Sequence, residues 1–130
     1  MKRASNWLLI GALCGLVSVA LGAFGAHGLK GQVDPQLLAN WQTGASYLGL
    51  HAAAILTCGL VLLSAPEARS IRAAAAAFLI GALLFSGSLF VMTLTGLRQL
   101  GMITPIGGIS LLAGWALLAL GAWRLRDLPR

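Results

Sequence analysis

Two histidines are the side chains of this sequence that can exchange protons near neutral pH, and they occupy contrasting positions. His51 lies inside the stretch 35–66, which contains no Asp, Glu, Lys or Arg, whereas His27 lies near the end of another such stretch. Thr43, Tyr47 and His51 are spaced four residues apart, which places them on one face of a helix. We therefore predict a polar stripe that ends at His51, either as a functional group within the membrane or as a hydrogen-bonded packing residue.

Haem iron and zinc are the two metal centres that paired histidines suggest. We expect Trp41 at the outer membrane interface, and His51 comes ten residues after it. His51 therefore lies about 15 Å below that interface, whereas His27 lies at the outer surface. One haem iron would not reach both imidazoles, and neither histidine has the further ligands that zinc needs. We expect no cofactor and no metal site.

Catalytic arrangements are sparse in this sequence. The three acidic residues, Asp34, Glu67 and Asp127, all lie in loops or in the tail, and no Gly-x-Ser-x-Gly motif or glycine-rich phosphate loop is present. A transporter that couples to protons through an intramembrane carboxylate lacks that carboxylate here. We therefore expect a protein that is not an enzyme.

Composition predicts that the helices carrying these side chains have lipid as their solvent. Charged residues make up 9% of the 130-residue chain and hydrophobic residues 58%, whereas soluble domains carry about 25% charge. Four windows of 26, 32, 25 and 25 residues lack Asp, Glu, Lys and Arg, and each exceeds the roughly 20 residues of a transmembrane helix. We predict an all-α fold, a four-helix transmembrane bundle with antiparallel neighbours. It forms one domain over residues 1–130, with spans at about 7–26, 41–64, 72–95 and 105–123.

Helix starts and interface positions follow from local signals. Asp34-Pro35 and Thr104-Pro105 each combine a capping side chain with proline at the first helical position, so we predict that the second and fourth helices begin there. Tryptophan concentrates at membrane interfaces. We expect Trp7 and Trp123 at the inner interface and Trp41 at the outer one.

Lysine and arginine predict the orientation of the bundle. Seven of them fall on one side of the four spans and two on the other: Lys2, Arg3, Arg69, Arg72, Arg124, Arg126 and Arg130 against Lys30 and Arg98. Basic loops remain in the cytoplasm, so we predict that both termini are cytoplasmic. The net charge of +6 then reflects orientation, and we expect no nucleic-acid partner.

Small residues form stripes on the first and fourth helices. Their positions are Gly11, Gly15, Ser18, Gly22 and Gly25 on the first, and Gly107, Gly114 and Gly121 on the fourth. Such stripes allow close helix approach, and we favour internal packing over an oligomer seam or a gate. On the third helix, Ser86 and Ser88 either bond to carbonyls of their own helix or, with Thr93 and Thr95, provide partners for His51. Cys14 and Cys58 are read as small apolar residues.

Four motifs, in order, resemble those of a known family. They are Gly22-Ala23-Phe24-Gly25-Ala26-His27, Tyr47 with His51-Ala52, Phe85-Ser86-Gly87-Ser88-Leu89, and Thr104-Pro105-Ile106-Gly107-Gly108 followed by Gly114-Trp115. Over nearly the whole chain their spacing is similar to that of the YgdD/YwdK-type family of small inner-membrane proteins. The resemblance implies a four-helix, multi-pass protein of the bacterial inner (plasma) membrane. It implies no substrate, because the family is one of unknown function.

Seven polar residues gather toward the outer side in this topology: His27, Thr43, Tyr47, His51, Thr95, Arg98 and Thr104. We hypothesise that they form an outward-facing pocket for a small polar ligand, a lipid headgroup or the loop of a partner. The leading interpretation is a non-enzymatic protein of the lipid bilayer that interacts with lipid, with a membrane-protein partner or with a second copy of itself. The alternative is a small transporter or channel component in which Thr43, Tyr47 and His51 line a path.

Overall fold

A computed structural model describes residues 2–127 of the chain and contains four long helices. Helix α1 spans Lys2–Phe24 and continues into a π-helical turn at Gly25–Leu29. Helices α2, α3 and α4 span Pro35–Ser64, Arg69–Thr95 and Thr104–Leu125, and a 3₁₀ helix at Arg98–Met102 precedes α4. All four are long and apolar enough to cross a membrane, which confirms the all-α prediction and the prediction of four helices that can span a membrane. Arg130, counted above among the cytoplasmic residues, lies outside the described residues.

Helix α2 begins where the sequence predicts. The Gln36 backbone N–H donates a hydrogen bond of 2.8 Å to Asp34 Oδ1, and Pro35 is the first helical residue. At the far end of α3, the N–H of Gly96 donates to the Met92 carbonyl. Gly96 has a φ of 74°, a left-handed conformation that glycine adopts without a steric penalty. The Asp34 cap and the left-handed Gly96 thus define the start of α2 and the end of α3.

The predicted cap of α4 is wrong. Thr104 is itself the first residue of α4, and its hydroxyl lies 2.6 Å from the Ser88 hydroxyl instead of capping the helix. The 3₁₀ helix leads directly into α4, so the Ile103 N–H donates to Leu100 and the Ile103 carbonyl accepts from Gly107. The Thr104 hydroxyl joins α4 to α3.

Glycines of α1 and α2 hold these helices in close contact. A Cβ added to Gly11 would lie 2.8 Å from the Leu56 side chain, and one added to Gly25 would lie 2.5 Å from the Trp41 ring. Between them, the Ser18 hydroxyl donates to the Ala45 carbonyl over 2.7 Å. Contacts with α2 therefore run along much of α1. The stripe on α1 is internal packing, as predicted.

Helix α4 uses its glycines against α3 in the same way. Gly107 lies against the backbone of Phe85, Gly114 against the Phe78 ring and Gly121 against the Ile71 side chain. Backbone proximity of this kind holds transmembrane helices together because lipid provides no hydrophobic gain on their association. The internal-packing interpretation of this stripe is confirmed as well.

Helices α2 and α3 form the inner pair of the bundle. The buried share of the residues was compared over one 18-residue apolar stretch of each helix. It is 44% for α2 and for α3, but 11% for α1 and 17% for α4. Ile55 and Cys58 of α2 pack with Ile71 and Phe78 of α3 in the main apolar core. The extensive contacts between long helices all join helices that are consecutive in the chain.

Trp41 is buried between helices. Its side chain is only 2% exposed, and its indole N–H donates to the Leu21 carbonyl over 2.7 Å. The ring packs against Phe24 and Phe90, with centroid separations of 5.8 and 4.7 Å. Trp41 is therefore a packing residue between helices, and Gly25 in the turn after α1 leaves room for its ring. Its position at the outer interface stays a prediction.

Candidate functional site

His51 is buried and hydrogen-bonded at both ring nitrogens. Its side chain is 2% exposed; Nδ1 lies 2.7 Å from the Tyr47 carbonyl oxygen, and Nε2 lies 3.0 Å from Nε1 of Trp115. A carbonyl only accepts and an indole N–H only donates. His51 must therefore be neutral, with its proton on Nδ1 and its Nε2 accepting from Trp115. Neither nitrogen has a lone pair left for iron or zinc.

Trp115 is the partner that the sequence analysis missed. We expected His51 to bond to hydroxyls of α3, but Trp115 belongs to α4 and is 64 residues away along the chain. One signal could have indicated it. The glycine face of α4 packs on α3, and the residue after Gly114 points about 100° away around the helix, toward the side where α2 lies.

The hydroxyls predicted as partners of His51 make other bonds. Ser86 donates to the Gly44 carbonyl of α2 over 2.7 Å, and Thr93 donates to the Leu37 carbonyl over 3.0 Å. Ser88 donates to the Phe85 carbonyl over 2.8 Å and contacts Thr104. Each of the three hydroxyls donates to a backbone carbonyl. Ser86 and Ser88 thus join α3 to both neighbouring helices, and only Ser88 also bonds to its own helix.

His51 is part of an aromatic cluster that joins α2, α3 and α4. We use this term for Tyr47, His51, Phe78, Phe85 and Trp115. Tyr47 stacks on Phe85 with a centroid separation of 4.5 Å and an interplanar angle of 25°. Trp115 meets His51 and Phe78 edge-on, at 5.8 and 5.0 Å. Offset and edge-to-face contacts of this kind stabilise aromatic pairs beyond their buried area, so the rings fix the spacing of α2 and α4.

Beside this cluster runs a groove of about 600 Å³ between α2 and α4. We call it the α2–α4 groove. Its lining residues are Tyr47, Leu50, His51, Phe85, Pro105, Gly108, Ile109, Leu111, Leu112 and Trp115. Tyr47 is 42% exposed and Trp115 41%, so the groove opens sideways from the bundle. The Tyr47 hydroxyl faces no hydrogen-bond partner among residues 2–127.

Most other residues of the predicted outer-side pocket bond locally. His27 donates from Nδ1 to the Ala23 carbonyl over 3.0 Å, Thr43 donates to the carbonyl of the residue four positions before it over 3.0 Å, and Thr95 does the same over 2.7 Å. All three are exposed. A carbonyl one turn earlier is always within reach of such a side chain on a helix, so helical spacing alone does not bring them together.

Arg98 forms an ion pair with a residue outside the predicted set. Its guanidinium lies 3.1 Å from Asp34 Oδ2, and both side chains are exposed, at 61% and 49%. Asp34 Oδ1 caps α2 at the same time, so one carboxylate joins the start of α2 to the 3₁₀ helix. The predicted pocket thus divides into the Asp34–Arg98 pair, the Ser88–Thr104 pair, the His51 site, and the locally bonded His27, Thr43 and Thr95.

A family model described as "Protein of unknown function (DUF423)" matches residues 21–108, from the end of α1 to the first turn of α4. The chain belongs to the DUF423 family. The match includes Tyr47, His51, Phe85 and Gly108 of the α2–α4 groove and stops before Trp115. No solved structure matches the chain.

Relatives of this DUF423 member are named as membrane proteins. The UPF0382 inner membrane protein YgdD of Escherichia coli K12 is 42% identical over 120 residues, covering 92% of this chain and 90% of YgdD. The UPF0382 membrane protein YwdK of Bacillus subtilis is 34% identical over 116 residues, 89% of this chain and 94% of YwdK. A UPF0382 membrane protein of Staphylococcus haemolyticus is 36% identical over 118 residues, 91% and 95% of the two chains. The predicted family is confirmed, and the four helices of this DUF423 member are those of a multi-pass membrane protein.

The His51–Trp115 bond gives a first testable prediction. Trp115→Phe keeps an aromatic ring against Phe78 but leaves His51 Nε2 without a donor, so we expect it to destabilise the bundle by about 1 kcal/mol. His51→Leu should cost less in the Trp115→Phe background than in the wild type. The measurement is a double-mutant cycle of reversible unfolding in detergent micelles. Additive effects of the two changes would contradict the bond.

Proposed function

We propose that this DUF423 member is a non-enzymatic membrane protein that binds one acyl chain of a bilayer lipid in the α2–α4 groove. The observation that carries the proposal is the groove itself, which opens toward lipid and is lined by apolar and aromatic side chains. Along α4 it extends from Pro105 to Trp115. That is about 15 Å at 1.5 Å per residue, half of the roughly 30 Å hydrocarbon core. Its length matches the acyl chain of a lipid in one leaflet.

The Tyr47 hydroxyl provides one polar group at the end of the groove where α4 begins. Phe85 stacks on Tyr47 and its backbone contacts Gly107, which places Tyr47 level with the first turn of α4. About 26 Å of helix separates Tyr47 from the end of α2 at Ser64. Tyr47 therefore lies near one edge of the roughly 30 Å core, at the depth where a phospholipid carries its ester carbonyls. Such a carbonyl would accept a hydrogen bond from the hydroxyl.

We propose further that neighbouring helices are antiparallel and that both termini are cytoplasmic. Support for the first part comes from the pairing of Gly11 with Leu56 and of Gly25 with Trp41, which runs in opposite directions along α1 and α2. Support for the second comes from the excess of Lys and Arg at the end that carries the termini. In this orientation the groove lies in the outer leaflet of the inner membrane.

A transport path along Thr43, Tyr47 and His51 has less support. Thr43 bonds to its own helix, and His51 is buried with both nitrogens engaged. A path would need polar groups that are free to exchange partners with a moving solute. Of the three side chains, Tyr47 alone offers one. Lipid in a static groove requires no such exchange.

Filling the groove provides the second prediction. A Cβ on Gly108 would meet only the Phe85 ring, at 3.9 Å, so the side chain of Gly108→Leu can extend into the groove without disturbing the helices. We expect about tenfold less binding of the acyl chain, corresponding to about 1.4 kcal/mol of steric cost. The measurement is photo-crosslinking in proteoliposomes with a phosphatidylcholine that carries a diazirine on its acyl chain, followed by mapping of the labelled residues.

Gly87→Leu is the matched control for this experiment. A Cβ at Gly87 has no atom within 4 Å, and Gly87 does not line the groove. We expect the control to be labelled at groove residues as strongly as the wild type. Equal labelling of the groove in Gly108→Leu and Gly87→Leu, or labelling spread evenly over all lipid-facing surfaces of the wild type, would overturn the proposal.

A further inference from the structure

A second cavity lies at the opposite end of the bundle, where α1 begins and α2 passes into α3. Its volume is about 340 Å³, and it is lined by Lys2, Arg3, Ala4, Leu62, Pro66 and Arg72. We call it the basic cavity. Three of its six lining residues are cations, and none is a carboxylate. It is separate from the α2–α4 groove and shares no lining residue with it.

The cations of the basic cavity have no carboxylate partner in the part of the chain that the structure describes. The ion pair found among residues 2–127 joins Arg98 to Asp34 at the other end of the bundle. Glu67 follows Pro66 in the chain but lines a neighbouring cavity together with Arg69 and Arg124. Three positive charges around one small space repel each other, and the repulsion strengthens where hydrocarbon lowers the local dielectric constant. An anion in the cavity would remove that cost.

We propose that the basic cavity binds the phosphate of an anionic phospholipid headgroup. Lysine and arginine are the side chains that bind phosphate oxygens in proteins, and basic pockets between transmembrane helices bind acidic lipid headgroups. The non-basic lining residues of the cavity, Ala4, Leu62 and Pro66, are apolar. Inorganic phosphate makes no apolar contacts with these residues, whereas the glycerol and first methylenes of a lipid pack against them.

The position of the cavity gives this lipid a structural effect. Lys2 and Arg3 belong to α1, and Arg72 belongs to α3, two helices that have no extensive contact with each other. A phosphate held by both sets of cations would bridge α1 to α3. Helix α1 is the least buried of the four, so we expect bound anionic lipid to hold its N-terminal turn in place.

The proposal is independent of the α2–α4 groove. The groove takes an acyl chain, whatever the headgroup, whereas the basic cavity recognises a headgroup charge at the other membrane interface. The phosphatidylcholine used to label the groove carries no net charge and so leaves the basic cavity untested. Failure of either proposal does not affect the other.

The third prediction concerns Arg72→Gln and Arg3→Gln. We expect each to lower the affinity for phosphatidylglycerol about tenfold, because each removes one charge-assisted contact worth roughly 1.5 kcal/mol. Arg72→Lys retains the charge and should keep most of the binding. The measurement is native mass spectrometry of the full chain, released from micelles that contain phosphatidylglycerol and phosphatidylcholine in equal amounts, with bound lipid counted by mass. Arg3 is exposed, so its variant tests the site even if Arg72→Gln fails to fold.

Arg126→Gln is the matched control. Arg126 lies at the same end of the bundle as the basic cavity and carries the same charge. It stacks over the Trp123 ring at 3.9 Å, and it lines neither the basic cavity nor the neighbouring cavity that contains Glu67. Retention of phosphatidylglycerol in this control, together with its loss in Arg72→Gln and Arg3→Gln, would support the site. Equal losses in all three variants, no preference of the wild type for phosphatidylglycerol, or displacement of the lipid by millimolar inorganic phosphate would overturn it.

Discussion

Replacing Gly107 by alanine is expected to destabilise the bundle by about 2 kcal/mol, a typical cost of overpacking a close-packed site. A Cβ at Gly107 would lie 2.8 Å from Cα of Phe85 and 3.0 Å from the carbonyl oxygen of Gly81. Both are backbone atoms of α3, which cannot rotate away as a side chain can. The only relief is to separate α4 from α3, and this would loosen Gly114 and the aromatic cluster as well.

Gly108→Ala is the matched control for Gly107→Ala. Both changes replace glycine by the best helix former, a gain of about 1 kcal/mol in a helix interior, so their difference isolates the steric effect. A Cβ at Gly108 is in ordinary contact with the Phe85 ring, at 3.9 Å. We expect Gly108→Ala to be as stable as the wild type or more so, in reversible unfolding with sodium dodecyl sulfate. Equal stability of the two variants would show that α3 and α4 do not approach at Gly107.

Trp41→Ala is expected to cost about 3 kcal/mol. This value is the low end of the destabilisation caused by removing a buried aromatic ring. We choose the low end because the separated helices are surrounded by lipid and not by water, so burying the ring brings no hydrophobic gain. The change empties the space between Phe24 and Phe90 and removes the donor to the Leu21 carbonyl. Trp41→Phe restores most of the ring but not the hydrogen bond, so we expect it to lie between alanine and the wild type.

The control for Trp41 is Trp123→Ala. Trp123 is 60% exposed and stacks with Arg126, so its loss should cost about 0.5 to 1 kcal/mol. The same unfolding measurement compares the two. If Trp41 were a lipid-facing anchor at the interface, both substitutions would have similar small effects. A difference of more than about 1.4 kcal/mol, tenfold in the folding equilibrium, is the expected result.

Much of the fold could be predicted from the sequence because the lipid solvent imposes strict requirements on it. Charged residues interrupt the chain where helices end, and backbone groups within lipid must be satisfied inside a helix. The capping carboxylate of Asp34 is a local device and was predicted correctly. The glycines of α1 and α4 were read correctly as packing seams, because small residues at helical spacing have few other uses in a membrane.

The sequence could not show which residues of different helices meet. The position of a residue along a helix predicts its depth in the membrane, and the spacing between residues predicts which of them share a helix face. The four-residue spacing of Tyr47 and His51 therefore predicts one stripe. The contact of His51 with Trp115 depends on the register of α4 against α2, which is set indirectly through their common neighbour α3. The burial of Trp41 could not be predicted for a similar reason, because it depends on a glycine of another helix.

The two serines of α3 illustrate the same limit. Ser86 and Ser88 have identical hydroxyls two residues apart, and each could bond to its own helix. Ser88 does so, whereas Ser86 reaches the Gly44 carbonyl of α2. A serine hydroxyl can bond either to its own helix or to a neighbouring one. The rotational orientation of α3 relative to its neighbours decides which bond each serine makes.

The packing of each long helix on its neighbours in the chain also sets an order of events during synthesis. When α2 enters the membrane its partner α1 is already there, and α3 in turn finds α2 in place. A nascent chain that ends after α3 therefore contains the α1–α2 and α2–α3 interfaces, together with every lining residue of the basic cavity. The α2–α4 groove has its second wall only when α4 has been inserted, so it forms after the basic cavity.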